Sequence, residues 1–219
     1  SLGQRTMRRC SGGSAANTIY AAQAFGLNTS YACQLADDEN GRHFFREMQD
    51  AGIVTSQISA MNDEQRSGQC LVLVTPDAQR TMCTDLGVSK DFSYARVNES
   101  DLRAAKCLYI EGYLSASELS SQSAARSAAL ANASSTQVAL TLSDISMIEF
   151  CRDGLSAIMG DGVDTLFCNA DEATAWAKTD RLDIAISELK DIAKELYVTL
   201  GSEGAEVCNL EGRWQVGGE

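Results

Sequence analysis

From about Lys106 onward, short apolar runs alternate with stretches of helical spacing. The runs fall at 107–110, 137–142, 164–168 and 196–200. Each is apolar throughout rather than at every second position, the pattern of strands buried on both faces of a parallel sheet. Between them lie an alanine-rich stretch at 117–132, a segment at 145–159, and Leu182, Ile186, Leu189, Ala193 and Leu196 at helical spacing. The alternation predicts a βαβα order and an α/β fold with helices on both faces of the sheet.

The first half has a different texture. Helices are predicted over 14–25, stopped by Gly26, and over 41–50, stopped near Gly52, with Phe44, Phe45 and Met48 on one face of the second. Between Gly68 and Leu86 two strand-like runs flank Thr75-Pro76-Asp77-Ala78, where proline supplies the fixed φ of a turn, so a β-hairpin is expected. No linker, repeat or low-complexity tract divides the chain. The expectation is one domain over 1–219 with a small β appendage that includes part of 66–86. No strand precedes the Gly12-Gly13 pair and the sequence stops just after a hairpin pattern, which predicts a chain incomplete at both ends.

Composition narrows the partners. Thirty acidic residues against 18 Lys and Arg give a net charge of −12, which argues against a nucleic-acid backbone as ligand. No apolar run approaches the roughly 20 residues of a membrane span and no basic-then-apolar leader begins at Ser1, so no membrane partner and a cytoplasmic location are expected. The eight cysteines are dispersed without a C-x-x-C pair, and several sit in apolar runs, such as Cys70 and Cys168. They are read as buried, reduced thiols rather than as zinc ligands or disulfides.

Three groups carry candidate chemistry, each at a helix start or at the carboxyl end of a predicted strand, where open α/β sheets bind ligands. Gly12 and Gly13 lack Cβ atoms, so a polar ligand can reach their amides, and Asn17 lies one turn into the helix that they open. Asn169-Ala170-Asp171-Glu172 follows a strand and fits either a capping box or water-mediated Mg²⁺ and phosphate chemistry. Thr199-Leu200-Gly201-Ser202-Glu203-Gly204 is a strand entering a glycine turn, whose amides suit phosphate. Neither G-x-x-x-x-G-K-[ST] nor G-x-G-x-x-G is present. The lone histidine, His43, reads as a helix surface residue, Asp37-Asp38-Glu39 as acids at a helix start, and Trp176 as packing.

In this order, over essentially the whole chain, these groups resemble the PfkB carbohydrate kinase family, the ribokinase and adenosine kinase group. Gly12-Gly13-x-x-x-Asn17, Gly26, Asp38-x-x-Gly41 and Gly52 resemble its first signature region, Asn169-x-x-Glu172 its magnesium and phosphate motif, and Thr199-x-Gly201-x-x-Gly204 its ATP turn. Tyr109-Ile110-Glu111-Gly112-Tyr113, the hairpin ending in Arg80-Thr81-Met82, and Leu140-Thr141-Leu142-Ser143 look closest to adenosine kinases.

The resemblance implies a ribokinase-like three-layer α/β/α fold, a mostly parallel sheet and a small β lid. It implies an ATP- and Mg²⁺-dependent phosphotransferase acting on a primary hydroxyl of a nucleoside, adenosine first, or of a small sugar such as ribose, fructose or a keto-deoxy sugar acid. A catalytically inactive nucleoside- or sugar-binding member is the further alternative. By the resemblance Gly12, Gly13, Asn17 and Glu111 bind substrate, Asn169, Thr199, Gly201, Ser202 and Gly204 bind ATP, Glu172 holds the metal through water, and Arg80 stabilises the transferring phosphate. A monovalent cation and a homodimer through the lid strands are left open. The family's catalytic aspartate belongs to a D-T-x-G-A-G-D motif, which these 219 residues do not contain, and an aromatic usually stands near the position of Leu114, with Tyr113 beside it here.

Overall fold

The computed structural model of the chain describes residues 8–56, 58 and 65–218. They gather into two units, Ser1–Ser89 and Lys90–Glu219. In the first, helix α1 (Ser14–Ala24) leads to strand β1 (Ser30–Tyr31), helix α2 (Glu39–Asp50) and strand β2 (Val54–Thr55), which pairs in parallel with β1. Strands β3 (Gln69–Val74) and β4 (Arg80–Asp85) form the expected hairpin. Its turn is closed by Ala78 N–H donating to Thr75 O at 2.9 Å and by Thr75 N–H donating to Gln79 O at 3.0 Å. The core of this unit is small: Ala16, Met48 and Ile53, with Ile19, Tyr31, Phe44 and Ala51 against them.

The sequence signals that set these elements are local. Asp38 caps α2, its carboxylate accepting from Gly41 N at 2.7 Å and reaching across to Ser67 N at 2.9 Å. Partial burial works against ionisation there, but these two N–H donors prevail and hold the Asp38 carboxyl below its ordinary pKa. Gly41 is required by this packing, because a Cβ would stand 2.1 Å from Ala36 O and 2.5 Å from Ser67 Oγ. Gly41→Ala should therefore destabilise the protein by about 3 kcal/mol or more. Chemical denaturation of the variant beside wild type measures this, and an unchanged midpoint would refute the packing argument.

The second unit is built on a six-stranded sheet. Helix α3 (Glu99–Ala104) precedes strand β5 (Cys107–Glu111), helix α4 (Glu118–Ala133) and strand β6 (Gln137–Thr141). Helices α5 (Ile145–Phe150) and α6 (Arg152–Met159), strand β7 (Val163–Asn169), helices α7 (Ala170–Ala177) and α8 (Leu182–Leu189), and strands β8 (Ala193–Thr199), β9 (Ala205–Cys208) and β10 (Arg213–Val216) complete it. The strands lie in the order β10-β9-β8-β7-β6-β5. Strands β5 to β8 run parallel, and β9 and β10 are antiparallel.

Alternation along these strands places Ile110, Val138, Leu140, Leu166, Cys168, Leu196 and Val198 on one face, inside a core shared with Ala124, Leu155, Ile158, Trp176, Ile186 and Leu189 from the helices. The opposite face carries Tyr109, Phe167 and Tyr197, with Phe167 stacked on Tyr197 at 5.2 Å between ring centroids. Parallel strands whose spatial order follows chain order place their crossover helices on a single face, because each right-handed connection steps the same way. Trp176 is buried in the core, as its helical position predicts, with the Arg152 guanidinium 4.1 Å from its ring centroid.

Three expectations change. The helical spacing that runs on to Ala193 and Leu196 is coincidental: α8 stops at Leu189, Ile192 N–H closes a turn onto Leu189 O, and Ala193 and Leu196 belong to β8. The segment at 145–159 is two helices, separated at Cys151. The thiols are not uniformly buried. Cys33, Cys168 and Cys208 are, whereas Cys10, Cys70, Cys83 and Cys107 are exposed, Cys70 and Cys83 because both hairpin strands are exposed along their whole length. All eight are free thiols. No helix among the described residues is long and apolar enough to cross a membrane.

Candidate active site

The carboxyl ends of the parallel strands bring polar groups to one edge of the sheet. Register pairs Glu111 with Thr141 and Asn169 with Thr199, so the last residues of β5, β6, β7 and β8 lie along that edge. Glu111 is buried and accepts a hydrogen bond from Ser143 Oγ at 3.1 Å. The same Ser143 hydroxyl accepts from Gly112 N at 2.9 Å, and Ser143 holds a positive φ of 71°, a conformation that costs energy for a residue with a side chain. Tyr113 is half exposed and donates its hydroxyl to Ser143 O at 3.3 Å, whereas Leu114 packs on the core. The Tyr113 hydroxyl is pushed above its ordinary pKa, first by burial and then by the charges of Asp144, Glu111 and Glu172. Those three carboxyls therefore act electrostatically on one phenol at this edge.

Asn169 and Glu172 form the capping box that their spacing allows. Glu172 N–H donates to Asn169 Oδ1 at 2.7 Å, while Asn169 N–H and Nδ2 donate to the Glu172 carboxylate at 3.2 and 2.8 Å. Glu172 is only 7% exposed. Burial raises its pKa, the backbone hydrogen bond from Asn169 opposes that, and Asp144 and Asp171 raise it further. The same burial, with Glu172 nearby, pushes the Cys168 thiol up to about 12, so Cys168 is an inert core group. Among the described residues no group of three His, Cys, Asp or Glu is placed to enclose a metal ion. A single recessed carboxylate in surplus negative charge suits a hydrated divalent cation, which keeps its own waters.

At the end of β8, Gly201–Glu203 is a turn of 3₁₀ helix. Its own bonds use three N–H groups: Leu200 to Gly204 O at 2.8 Å, Glu203 to Leu200 O at 3.1 Å and Gly204 to Gly201 O at 3.2 Å. Gly201 and Ser202 stand at the outer, exposed side of this turn.

In the first unit the helix entry is as the sequence predicts. Gly13 caps α1 at φ 112°, a conformation open to glycine, and a Cβ at Gly12 would meet nothing within 4 Å. Asn17 is exposed, with its N–H donating to Gly13 O at 2.9 Å. It lines an open pocket of about 540 Å³ together with Ser11, Tyr20, Glu47 and Asp50, floored by Ala16 and Met48. Glu47, on α2, accepts the Ser11 N–H at 2.7 Å. The Ser11 side chain and N–H hold its carboxyl below the ordinary range, and His43 lies 3.5 Å from it. Arg80 opens β4 opposite Val74 at the exposed tip of the hairpin.

Glu47 was not among the residues singled out by sequence. Its tie to Ser11 spans 36 positions, and only the Gly41 to Asp50 helix pattern hinted that it shares a face with anything. The Glu111 to Ser143 bond, 32 positions apart, is equally silent in one dimension.

The pfkB family carbohydrate kinase profile matches residues 2–218. The structure is similar to that of adenosine kinase from Sinorhizobium meliloti, with a TM-score of 0.88 and 29% identity, covering 96% of this chain and 64% of that one. It is also similar to a probable sugar kinase from Rhizobium etli CFN 42, with a TM-score of 0.85 and 26% identity, covering 94% of this chain and 62% of that one. By sequence, the 5-dehydro-2-deoxygluconokinase of Shouchella clausii is 28% identical over 148 residues, 63% of this chain and 43% of that protein. The chain thus spans less than two thirds of the length of these relatives.

Proposed function

The chain belongs to the pfkB family of carbohydrate kinases, and from that premise we propose that the full-length protein transfers the γ-phosphoryl group of ATP to a primary hydroxyl of a nucleoside, adenosine first. The observation that carries this reading is the buried Asn169–Glu172 box at the edge of the sheet where Glu111 and Thr199 also end. That edge is where an α/β sheet offers polar groups to a nucleotide, and phosphoryl transfer is catalysed mainly by positioning and charge neutralisation.

In this reading Asn169, Thr199, Gly201, Ser202 and Gly204 hold ATP. Gly204, whose N–H closes the turn, shapes the loop, and Gly201 and Ser202 present it. Glu172 would hold Mg²⁺ through water, and the ion would supply neutralisation of phosphate charge. Gly12, Gly13 and Asn17 hold the acceptor hydroxyls, with Glu111 as a further polar contact. The acceptor oxygen forms its bond to the γ-phosphorus as the bond to the ADP oxygen breaks, and the hydroxyl proton passes to a carboxylate base. Arg80, at the tip of the hairpin, would neutralise charge on the transferring phosphate.

Tyr113, half exposed beside Glu111, supports an aromatic contact to a nucleobase. The hairpin's open edges and its exposed Leu71, Val72, Leu73, Val74 and Met82 support pairing with a second copy through these strands. An ATP-supplied cytoplasmic setting suits the activity. The second reading, a kinase of a sugar or keto-deoxy sugar acid, is favoured by the likeness to 5-dehydro-2-deoxygluconokinases.

An ATP-consumption screen of the full-length protein against adenosine, other nucleosides, ribose, fructose and 2-keto-3-deoxygluconate should give its highest kcat/KM with adenosine. Turnover of none of them would sink the kinase reading in favour of a binding protein without catalysis.

A further inference from the structure

The wall of the pocket beside Asn17 carries a charge that the reading above leaves without a role. Glu47 and Asp50 both line it, and none of its lining residues is Lys or Arg. Of the arginines close in sequence, Arg9 is paired with Glu39 at 2.6 Å and Arg42 with Asp37 at 2.5 Å, and Arg46, next to Glu47, is not among the lining residues. Glu47 itself is fixed rather than free to swing away, because one carboxylate oxygen receives the Ser11 N–H at 2.7 Å, next to Gly12. Its other neighbour of basic character is His43, one helical turn earlier, which is a cation only when protonated.

We infer that Glu47 is a specificity-determining residue that admits uncharged phosphoryl acceptors and turns away those bearing a carboxylate. The inference rests on the reading of Gly12, Gly13 and Asn17 as the acceptor's binding groups. A sugar acid held by Asn17 would bring its own negative charge toward the wall that carries Glu47 and Asp50, which has no Lys or Arg among its lining residues to pair it. At the effective dielectric of a partly open site, one such like-charge approach lowers affinity roughly tenfold to a hundredfold. A nucleoside or neutral sugar meets no such opposition, and its hydroxyls can donate to the same carboxylate. Glu47 thus separates the two substrate classes that the family likeness leaves open.

The test compares the full-length protein with its E47Q variant on adenosine, fructose and 2-keto-3-deoxygluconate, as kcat/KM and as calorimetric binding without ATP. Glutamine keeps an oxygen for the Ser11 N–H and removes the charge. The expected result is that the neutral-to-acid preference narrows about tenfold or more in E47Q. In the wild type it should also narrow severalfold between low salt and 1 M NaCl, where the screening length falls to about 3 Å. The salt series stands independently of whether E47Q folds. A preference that moves with neither charge removal nor salt, or a wild type that favours the acid, overturns the role of Glu47 while leaving the kinase reading intact. Discriminating binding without phosphoryl transfer supports Glu47 and sinks the kinase. No binding of any neutral acceptor overturns both.

Discussion

Asn17→Ala should raise the KM for the phosphoryl acceptor about tenfold or more while the KM for ATP stays within about twofold. Asn17 offers one acceptor oxygen and two N–H donors from an exposed position on the first turn of α1. Two lost hydrogen bonds at about 1 kcal/mol each correspond to an affinity loss of roughly tenfold to thirtyfold. The fold should not share in that loss. The bond that starts the helix runs from the Asn17 backbone N–H to Gly13 O, which alanine keeps, and alanine is the better helix former. A thermal melt of the variant should therefore be unchanged or slightly higher. Equal increases in both KM values would show that Asn17 does not belong to the acceptor, and a lowered melting temperature would show that the residue serves the helix.

This separation of fold from recognition explains what the sequence displays openly and what it conceals. Strands β5 to β8 are legible because their apolar runs are nearly continuous, yet the burial behind them is one-sided: Leu140, Leu166, Leu196 and Val198 on the core face are fully buried, whereas Phe167 on the other face is exposed. The helix ends at Gly26 and Gly52 and the cap at Asp38 are legible because each answers a backbone requirement within four residues. The end of α8 is not, since Leu189, Ala193 and Leu196 satisfy a helical period by chance, and only pairing of Ala193 with Val163 reveals the strand. The two-residue strands β1 and β2 are too short to carry a period at all. Cysteine burial misleads for a related reason: an apolar neighbourhood in sequence at Cys70 belongs to a hairpin that stands exposed on both faces.

The candidate site divides along the same line. Gly12, Gly13, Asn17, Asn169 and Glu172 are visible because their spacing is local: a glycine at a positive φ, a residue one turn later, a capping box of i and i+3. Glu111 and Ser143 are visible as members of two separate motifs, but the bond between them is not. Glu47 is hidden entirely, because nothing near it in sequence announces the Ser11 N–H that it binds. Residues that act by their own geometry leave a local trace, whereas those that act by holding a distant loop or by charging a wall leave none.

Glu172 makes the sharpest case of a residue kept against stability. Its carboxyl is buried, and burial together with Asp144 and Asp171 lifts its pKa above that of an unfolded glutamate, near 4.3. An acid whose pKa is raised by folding favours the folded state while it is protonated. That contribution is complete below the unfolded pKa and is lost as pH rises through the folded one. Ionising Glu172 as the pH rises is therefore a cost to the fold. Asn169 N–H and Nδ2 donate to different oxygens of the Glu172 carboxylate; Glu172→Gln keeps one oxygen for the backbone N–H, the bond that makes the capping box, and gives up the one from Nδ2. The variant should melt at a higher temperature than wild type at pH 7 to 8, with the difference closing below about pH 4, where both carry a neutral side chain. Its ATP-dependent turnover should fall about tenfold to a hundredfold, the loss expected when a charged group that holds a metal through water is neutralised. A gain in stability with that loss of activity identifies Glu172 as functional. A variant less stable than wild type across the whole pH range, at unchanged activity, would make the Asn169–Glu172 box a helix cap and nothing more.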